Sequence, residues 1–185
     1  SANAGLERLS RVVSQLLSLA RNEPEAGASV VLQPLDLEAL ALEAATRWVP
    51  EALKKRIDLG FEGAGGRVTV RGDAARLHEL LDNLLDNAVR YSRDGGRVTV
   101  RVLAAPGPVV EVNDDGPSIP ADERERVFRR FHRLLGSGED GSGLGLAIAR
   151  EIARLHGASI ELRDDADGVG NTFSLVFPGE PPGGS

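Results

Sequence analysis

Hydrophobic residues recur along the chain at two periods, and the changes of period mark out its elements. Leu6, Leu9, Val13, Leu16 and Ala20 fall alternately three and four apart, the seam of a helix that packs on another helix in a bundle. Pro24 and Gly27 end it, and NEPEAGAS reads as a linker. From Pro34 a second helix is signalled by Asp36 as N-cap, then Leu37, Leu40, Leu42 and Ala45, with Pro50 breaking or restarting it. Ile57 to Phe61 and Arg67 to Arg71 alternate with the two-residue period of strands, and the GAGG between them has turn composition, so a β-hairpin is predicted. Asp73 is placed to cap a third helix, in which Leu80, Leu81, Leu84, Leu85, Ala88 and Val89 share one face.

Strand-like runs follow at Arg97 to Leu103 and Val109 to Val112, separated by the turn-forming Ala-Pro-Gly-Pro. A helical segment is predicted over Ala121 to Arg130, then a Gly-rich loop from Gly136 to Gly143 and a helix running to His156. The last strands, Ala158 to Leu162 and Thr172 to Phe177, flank an Asp- and Gly-rich turn, and the tail PGEPPGGS has the composition of disorder. Strands interleaved with helices in this way predict an α+β protein with a helix layer on one face of a mixed sheet. The first helix has two readings: a remnant of a helical hairpin or dimerisation bundle, or a helix packed on the main domain.

Composition narrows the class without naming an activity. At 185 residues, 41% apolar and 27% charged, the chain is long enough for one domain with a real core. A net charge of -6 gives no general attraction for nucleic acid or anionic lipid. Without cysteine there is no disulfide, thiolate metal site or cysteine nucleophile. No apolar run approaches the roughly 20 residues of a membrane helix, and no secretory signal opens the chain. The chain begins with Ser and lacks Met, so a fragment of a longer protein is expected.

Chemistry enters on the polar side of the third helix. HELLDNLLDNAVRYS, residues 78–92, carries Asn83 and Asn87 one turn apart, although Asn is a poor helix former. A solvated face would account for them singly. Gly136, Gly138 and Gly141 fit the dinucleotide fingerprint, but they follow a helical FRRFHRLL and enclose Glu139 and Asp140, which would repel a pyrophosphate. No phosphate-loop or protein-kinase signature set is present. GSGLGLAIAR, residues 141–150, has better context, because Gly141, Gly143 and Gly145 lead into a helix whose free amides can meet a phosphate. In NDDGPSIP, residues 113–120, Asp114 ends an apolar strand and could accept hydrogen bonds from an exocyclic amine; a metal site or simple turn chemistry is the alternative.

Taken in order, NLLDNAVRYS, DDGPSIP, ERVFRRFHR and GSGLGLAIA resemble the N, G1, F and G2 boxes of bacterial sensor histidine kinases, whose ATP-binding domain belongs to the GHKL superfamily. The likeness covers nearly all of residues 30–178. It implies a two-layer α/β sandwich of the Bergerat type, mixed sheet covered on one face by helices, preceded by one bundle-type helix. The implied division is 1–22 as the second helix of a dimerisation and histidine phosphotransfer domain, 23–33 as linker, 34–178 as catalytic ATP-binding domain and 179–185 as disordered tail.

By the same resemblance Asn87 would bind Mg²⁺, a cation content with few protein ligands beside phosphate oxygens, and Asn83 would lie next to metal and phosphates. Arg90 and Tyr91 would contact phosphate and nucleotide, and Asp114 the adenine amine, with Gly116 and Ser118 beside the base. Phe128, Phe131 and Arg133 would belong to a mobile lid. Gly141, Gly143 and Gly145 would hinge it and present amides to phosphate, with Leu144 and Leu146 among them. Hydrolysing relatives place a Glu where Asn83 stands, and an amide is no general base near neutral pH, so phosphotransfer to a histidine is implied rather than hydrolysis. ATP and Mg²⁺ are the implied cofactors. A response-regulator receiver domain and a homodimer through the dimerisation helices are the implied partners, with no nucleic acid and no membrane contact, in a cytoplasmic domain of an inner-membrane sensor.

The chain departs from the family at two places. Ser118 stands where the family has the second Gly of D-x-G-x-G, which would reshape the lid's first hinge if that position needed a positive φ. No phosphoacceptor motif of the type H-E-[LIF]-[RK]-[TS]-P occurs, and His78, His132 and His156 are expected in structural or exposed roles. The alternatives are an ATP-hydrolysing GHKL relative, a protein serine kinase, or a degenerate module that serves only dimerisation.

Overall fold

A computed structural model describes residues 2–23, 30–132, 141–165 and 168–179. Helix α1 spans Ala2–Asn22, strand β1 Gln33–Asp36, α2 Leu37–Lys54, β2 Asp58–Glu62, β3 Thr69–Gly72 and α3 Ala74–Tyr91. Then come β4 Arg97–Leu103, β5 Val109–Asp114, a 3-10 turn Arg126–Phe128, α4 Gly145–Leu155, β6 Ser159–Asp164 and β7 Asn171–Val176. Both predicted caps are made: the Asp36 carboxylate accepts from the Glu38 and Ala39 amides, and the Asp73 carboxylate from the Arg76 amide.

The predicted hairpin between β2 and β3 does not form. β2 runs parallel to β4 at the edge of a five-stranded sheet ordered β2-β4-β5-β7-β6, whose other pairings are antiparallel, while β3 pairs with β1 in a separate two-stranded ribbon. Glu38 of α2 holds the intervening glycine segment, its carboxylate accepting from the Ala64 amide at 2.8 Å, and a Cβ on Gly63 would lie 2.6 Å from the same carboxylate. The chain therefore leaves β2 toward α2 instead of folding back, and α3 provides the crossover that a parallel pair requires. β1 itself is too short and too exposed to have shown an alternating pattern.

Two further expectations are corrected. Pro50 lies inside α2, on its exposed face, where the hydrogen bond it removes is exchanged for water and the helix continues. The helix expected over Ala121 to Arg130 is a series of turns with only the short 3-10 segment, since its buried residues Val127 and Phe128 are adjacent and give no helical stripe to bury.

The sheet explains the layering. Val98, Val100, Val102, Val110, Val112, Phe173 and Leu175 are buried, and α2, α3 and α4 supply the facing leucines, isoleucines and alanines. At register positions linking the strands through Glu111, polar groups take over: Arg101 donates to Glu62 at 2.6 Å and to Glu111 at 3.4 Å, and Arg163 also donates to Glu111. One face is thus apolar and covered while the other is a charge ladder, as a two-layer sandwich needs.

Helix α1 lies against the domain by a face other than the one its apolar spacing marks. It packs on α4 and α3, but through Val12 and the buried Leu19, Ser18 and Asn22, not through the predicted seam. Leu6, Leu9, Val13 and Leu16 stay exposed, at 64, 61, 46 and 43%. No helix among the described residues is long and apolar enough to cross a membrane. Most of the Gly-rich loop, the linker residues 24–29 and the tail from 180 onward lie outside the described residues.

Candidate functional site

A cavity of about 870 Å³, within the range of ligand pockets, opens between α3, the loop after β5, the segment entering α4 and helix α1. Asn83, Asn87, Arg90 and Tyr91 reach it because they share the polar side of α3, opposite the buried leucines. Ser118 lines it from the loop after β5, and Gly141, Gly143, Gly145 and Leu146 from the entry to α4. Asp114, Gly116, Phe131 and Leu144 do not line it, and Arg133 lies outside the described residues.

Asp114 nevertheless organises one end. It is 1% exposed, and its Oδ1 accepts from the Gly116 amide at 2.9 Å and from Asn171 Nδ2 at 3.1 Å. Its Oδ2 is buried with no hydrogen-bond partner among the described residues. Burial pushes the carboxyl up to about 6, against the hydrogen bonds from Asn171 and Gly116, and the nearby charges of Asp115 and Asp165 add to the rise. An orphaned carboxylate oxygen costs stability unless a donor arrives. Asn171, which does line the cavity, also donates to the Pro117 carbonyl at 2.9 Å and accepts from the Ile119 amide at 2.8 Å. It therefore fixes both the carboxylate and the loop after β5.

Close backbone approach makes two glycines obligatory at this end. A Cβ on Gly116 would lie 2.6 Å from the Tyr91 carbonyl, and one on Gly170 would lie 2.0 Å from that of Asp114. Ser118 departs from the family pattern without strain, because it is not among the residues with positive φ. Its hydroxyl accepts from the Gly170 amide at 3.1 Å and donates to the Gly170 carbonyl at 3.3 Å, tying the loop after β5 to the turn before β7. The hinge consequence expected of Ser118 does not arise.

The other end is polar and open. Asn83 donates its Nδ2 to the Glu79 carbonyl at 2.9 Å, and its Oδ1 lies against Gly145, where a Cβ would come within 3.1 Å. Arg90 is engaged by Asp86 at 2.7 Å one turn before it. His132 and Arg126 both pair with Glu123, at 2.8 Å each, and hold its carboxyl below the usual range, Arg126 first. Arg11 lines the cavity from α1, and Arg93, whose carbonyl lies with the Asp115 carboxylate against Gly96, lines it near the Asp114 end; neither has a carboxylate partner among the described residues. The Arg11 guanidinium thus stands at the open end, and the buried Asp114 carboxylate lies behind the other without itself lining the cavity.

Phe128, expected in a mobile lid, is instead a core residue. It meets Phe173 edge-on at 6.2 Å and lies under Arg150 at 5.6 Å. Phe131 is exposed, with φ 61, and its amide donates to the Gly143 carbonyl at 2.9 Å. The three histidines take the expected kinds of role. His78 lies beside Glu43, His132 is bound to Glu123, and His156 is buried, accepting from the Asp73 amide at 3.0 Å while donating to the Ile152 carbonyl at 2.7 Å.

Asn171, Glu123, Arg11, Gln15 and Lys55 were missed in the sequence. Lys55 donates to the carbonyls of Val89, Arg90 and Ser92, so it caps α3 beneath Tyr91. Asn171, Gln15 and Lys55 act on partners more than thirty positions away, Arg11 reaches the cavity only because α1 packs there, and Glu123 pairs with Arg126 and His132 in a segment read as a helix. The GVGN preceding β7 was the nearest thing to a local signal, since a polar residue follows a turn into an apolar strand.

Residues 72–181 match the family described as histidine kinase-, DNA gyrase B- and HSP90-like ATPase, and the chain belongs to that family. Within it, the similarity is to sensor histidine kinases. The signal transduction histidine-protein kinase/phosphatase MprB of Mycobacterium sp. (strain KMS) is 38% identical over 98% of this chain, which spans 36% of that relative's length. The solved mycobacterial sensor histidine kinase MprB superposes with a TM-score of 0.69 at 32% identity, over 82% of this chain and 99% of that one. Full-length ShkA, solved in complex with AMPPNP, gives a TM-score of 0.80 at 30% identity, over 92% of this chain and 35% of that one. The fold and its ATP-binding class are thereby those of the histidine kinase catalytic domain.

Proposed function

We propose that this chain is the phosphoryl-donating part of a sensor histidine kinase. It binds ATP in the cavity beneath α3 and passes the γ-phosphoryl group to a histidine outside these 185 residues, for relay to a response-regulator receiver domain. One observation carries the reading: behind one end of the cavity lies a buried carboxylate, Asp114, with an oxygen unpartnered among the described residues, and at the other end stands the unpaired guanidinium of Arg11. Adenine nucleotides have that polarity, an exocyclic amine at one end and phosphates at the other. The AMPPNP bound by the ShkA relative is consistent with it.

On this reading Asp114 Oδ2 accepts from the adenine amine, and Gly116 and Asn171 hold the carboxylate in place. Arg90 and the amides around Gly141, Gly143 and Gly145 face the phosphates, which a helix N-terminus favours. No group of three or more His, Cys, Asp or Glu is placed to hold a metal among the described residues, so a divalent cation would rest on neutral amide and phosphate oxygens. Asn87 is the residue that would hold Mg²⁺, with Asn83 beside it, and the cation would supply charge neutralisation.

Asn83 has committed its nitrogen to Glu79 and offers only a neutral oxygen, so it can orient but not deprotonate water. Catalysis then rests on positioning the γ-phosphoryl group for in-line attack by a histidine nitrogen. α1 is assigned to the second helix of a dimerisation and phosphotransfer domain, its exposed seam free to face a bundle in a homodimer at the cytoplasmic side of a membrane sensor.

The test is calorimetry on wild type and Asp114→Asn. Asp114→Asn is expected to weaken ATP binding by about 30-fold or more, the size of a lost charged hydrogen bond in a buried site, while leaving the thermal midpoint at neutral pH no lower. Unchanged affinity would reject the pocket assignment. Sustained phosphate release by the isolated chain, or transfer to a serine, would favour a hydrolysing relative or a serine kinase instead.

A further inference from the structure

The phosphate end of the cavity is closed by α1, and the groups α1 brings there have no part in the reading above. Gln15 accepts from the Ser142 hydroxyl at 2.5 Å, between Gly141 and Gly143. Arg11 lies one helical turn earlier on the same face and lines the cavity together with Asn83. The two also share a smaller neighbouring cleft. The helix is seated by the buried Leu19, by hydrogen bonds from Ser18 to Glu79 and from Arg76 to Asn22, and by the Arg130–Glu23 pair at 2.5 Å.

The carboxylates that line either cleft with Arg11 are engaged elsewhere: Asp86 by Arg90, Glu123 by Arg126 and His132, Asp82 by Arg47 and Trp48, and Glu79 by the Ser18 hydroxyl, so none is paired with Arg11 among the described residues. A guanidinium held beside a cavity whose own anions are occupied attracts an incoming one, and its planar fork matches phosphate oxygens.

We propose that Arg11 is a phosphate-binding residue supplied by α1, so that the nucleoside triphosphate and the docking of α1 on α3 and α4 stabilise each other. The proposal rests on the nucleotide reading and adds to it a contact from outside the catalytic domain. Coupling of this kind is reciprocal: whatever factor the docked helix adds to triphosphate affinity, the triphosphate adds to docking. The nucleoside alone, ending short of Arg11, would feel neither.

The experiment compares ATP and adenosine binding by calorimetry and competition in wild type, Arg11→Ala, Arg11→Lys and Asp114→Asn. Arg11 is exposed, so the fold should tolerate its removal, which an unchanged thermal midpoint verifies. Arg11→Ala is expected to weaken ATP about tenfold, to leave adenosine within about twofold, and to be partly rescued by Arg11→Lys. Amide exchange across residues 11–22 should slow with ATP but not with adenosine, and Arg11→Ala should abolish that slowing. ATP affinity lost in Asp114→Asn but intact in Arg11→Ala overturns the role of Arg11 alone. Binding intact in both overturns the nucleotide pocket and the proposal with it, and equal weakening of ATP and adenosine in Arg11→Ala reassigns Arg11 to a structural role.

Discussion

At the Asp114 end of the cavity almost every neighbour is backbone or a buried amide, whereas at the Arg11 end the neighbours are long charged side chains carried by separate helices. The first end is fixed by close approach: Gly116 against Tyr91, Gly170 against Asp114, Asn171 bridging three groups. The second depends on how α1, α3 and α4 are seated and on which cation is paired. On the proposed reading, selectivity for a base is built into the folded sheet, while affinity for phosphate is adjustable through helix position. A site so arranged would hold its nucleotide by one end and be regulated at the other.

Gly170→Ala should break the contrast most severely. With φ 96 and a carbonyl 2.0 Å from the added Cβ, the turn before β7 must shift. We expect a loss of about 3 kcal/mol, read by denaturant unfolding, together with loss of both adenosine and ATP binding. Retained stability would show that the base end is softer than its contacts imply.

Acidification should separate the ends next. Asp114 accepts most strongly from an amine as the carboxylate, and burial pushes its carboxyl up to about 6, so ATP affinity should fall by up to about tenfold between pH 7.5 and pH 5. The sign for unliganded stability is opposite: the raised folded value means that destabilisation by the buried charge grows as pH rises from 3.8 to about 6, is complete above that, and is relieved by acid across the same window. His156 acts the other way, because burial lowers its folded value below 6.5 and its Nε2 must stay neutral to accept from the Asp73 amide. Its contribution is therefore complete at pH 7.5 and is lost as pH falls below 6.5. Asp114→Asn should flatten the affinity profile and leave the His156 loss as the acid limb of the thermal midpoint. A wild-type affinity profile flat from pH 7.5 to 5 would contradict the assignment of Asp114.

Ser118→Gly should have the smallest effect. It removes the hydroxyl pair with Gly170 and restores chain freedom, for an expected cost of about 1 kcal/mol and about a twofold to fivefold loss of nucleotide affinity. A larger change in phosphate affinity than in adenosine affinity would mean that this loop serves the phosphate end after all.

Much of this site was legible in the chain because its parts are local. The N-caps Asp36 and Asp73, the leucine face of α3 with its polar side, Asp114 at a strand end and the glycines entering α4 are each signalled within a few residues. Their order supplied the resemblance that the fold and the relatives bear out. The false hairpin shows where such reasoning stops, since alternation tells which face a strand buries and nothing of which strand lies beside it.

The sequence by itself determined most of the elements, most of their apolar faces and most of the polar groups available for a nucleotide, because helix and strand periods and capping act over one or two turns. Tertiary structure alone decided that β2 joins β4, that Asn171 clasps Asp114, that Ser118 finds Gly170, that Lys55 caps α3, and that α1 docks by Leu19 and leaves its seam exposed. Those pairings are settled by competition among distant surfaces for burial and among buried polar groups for partners, which no local pattern records.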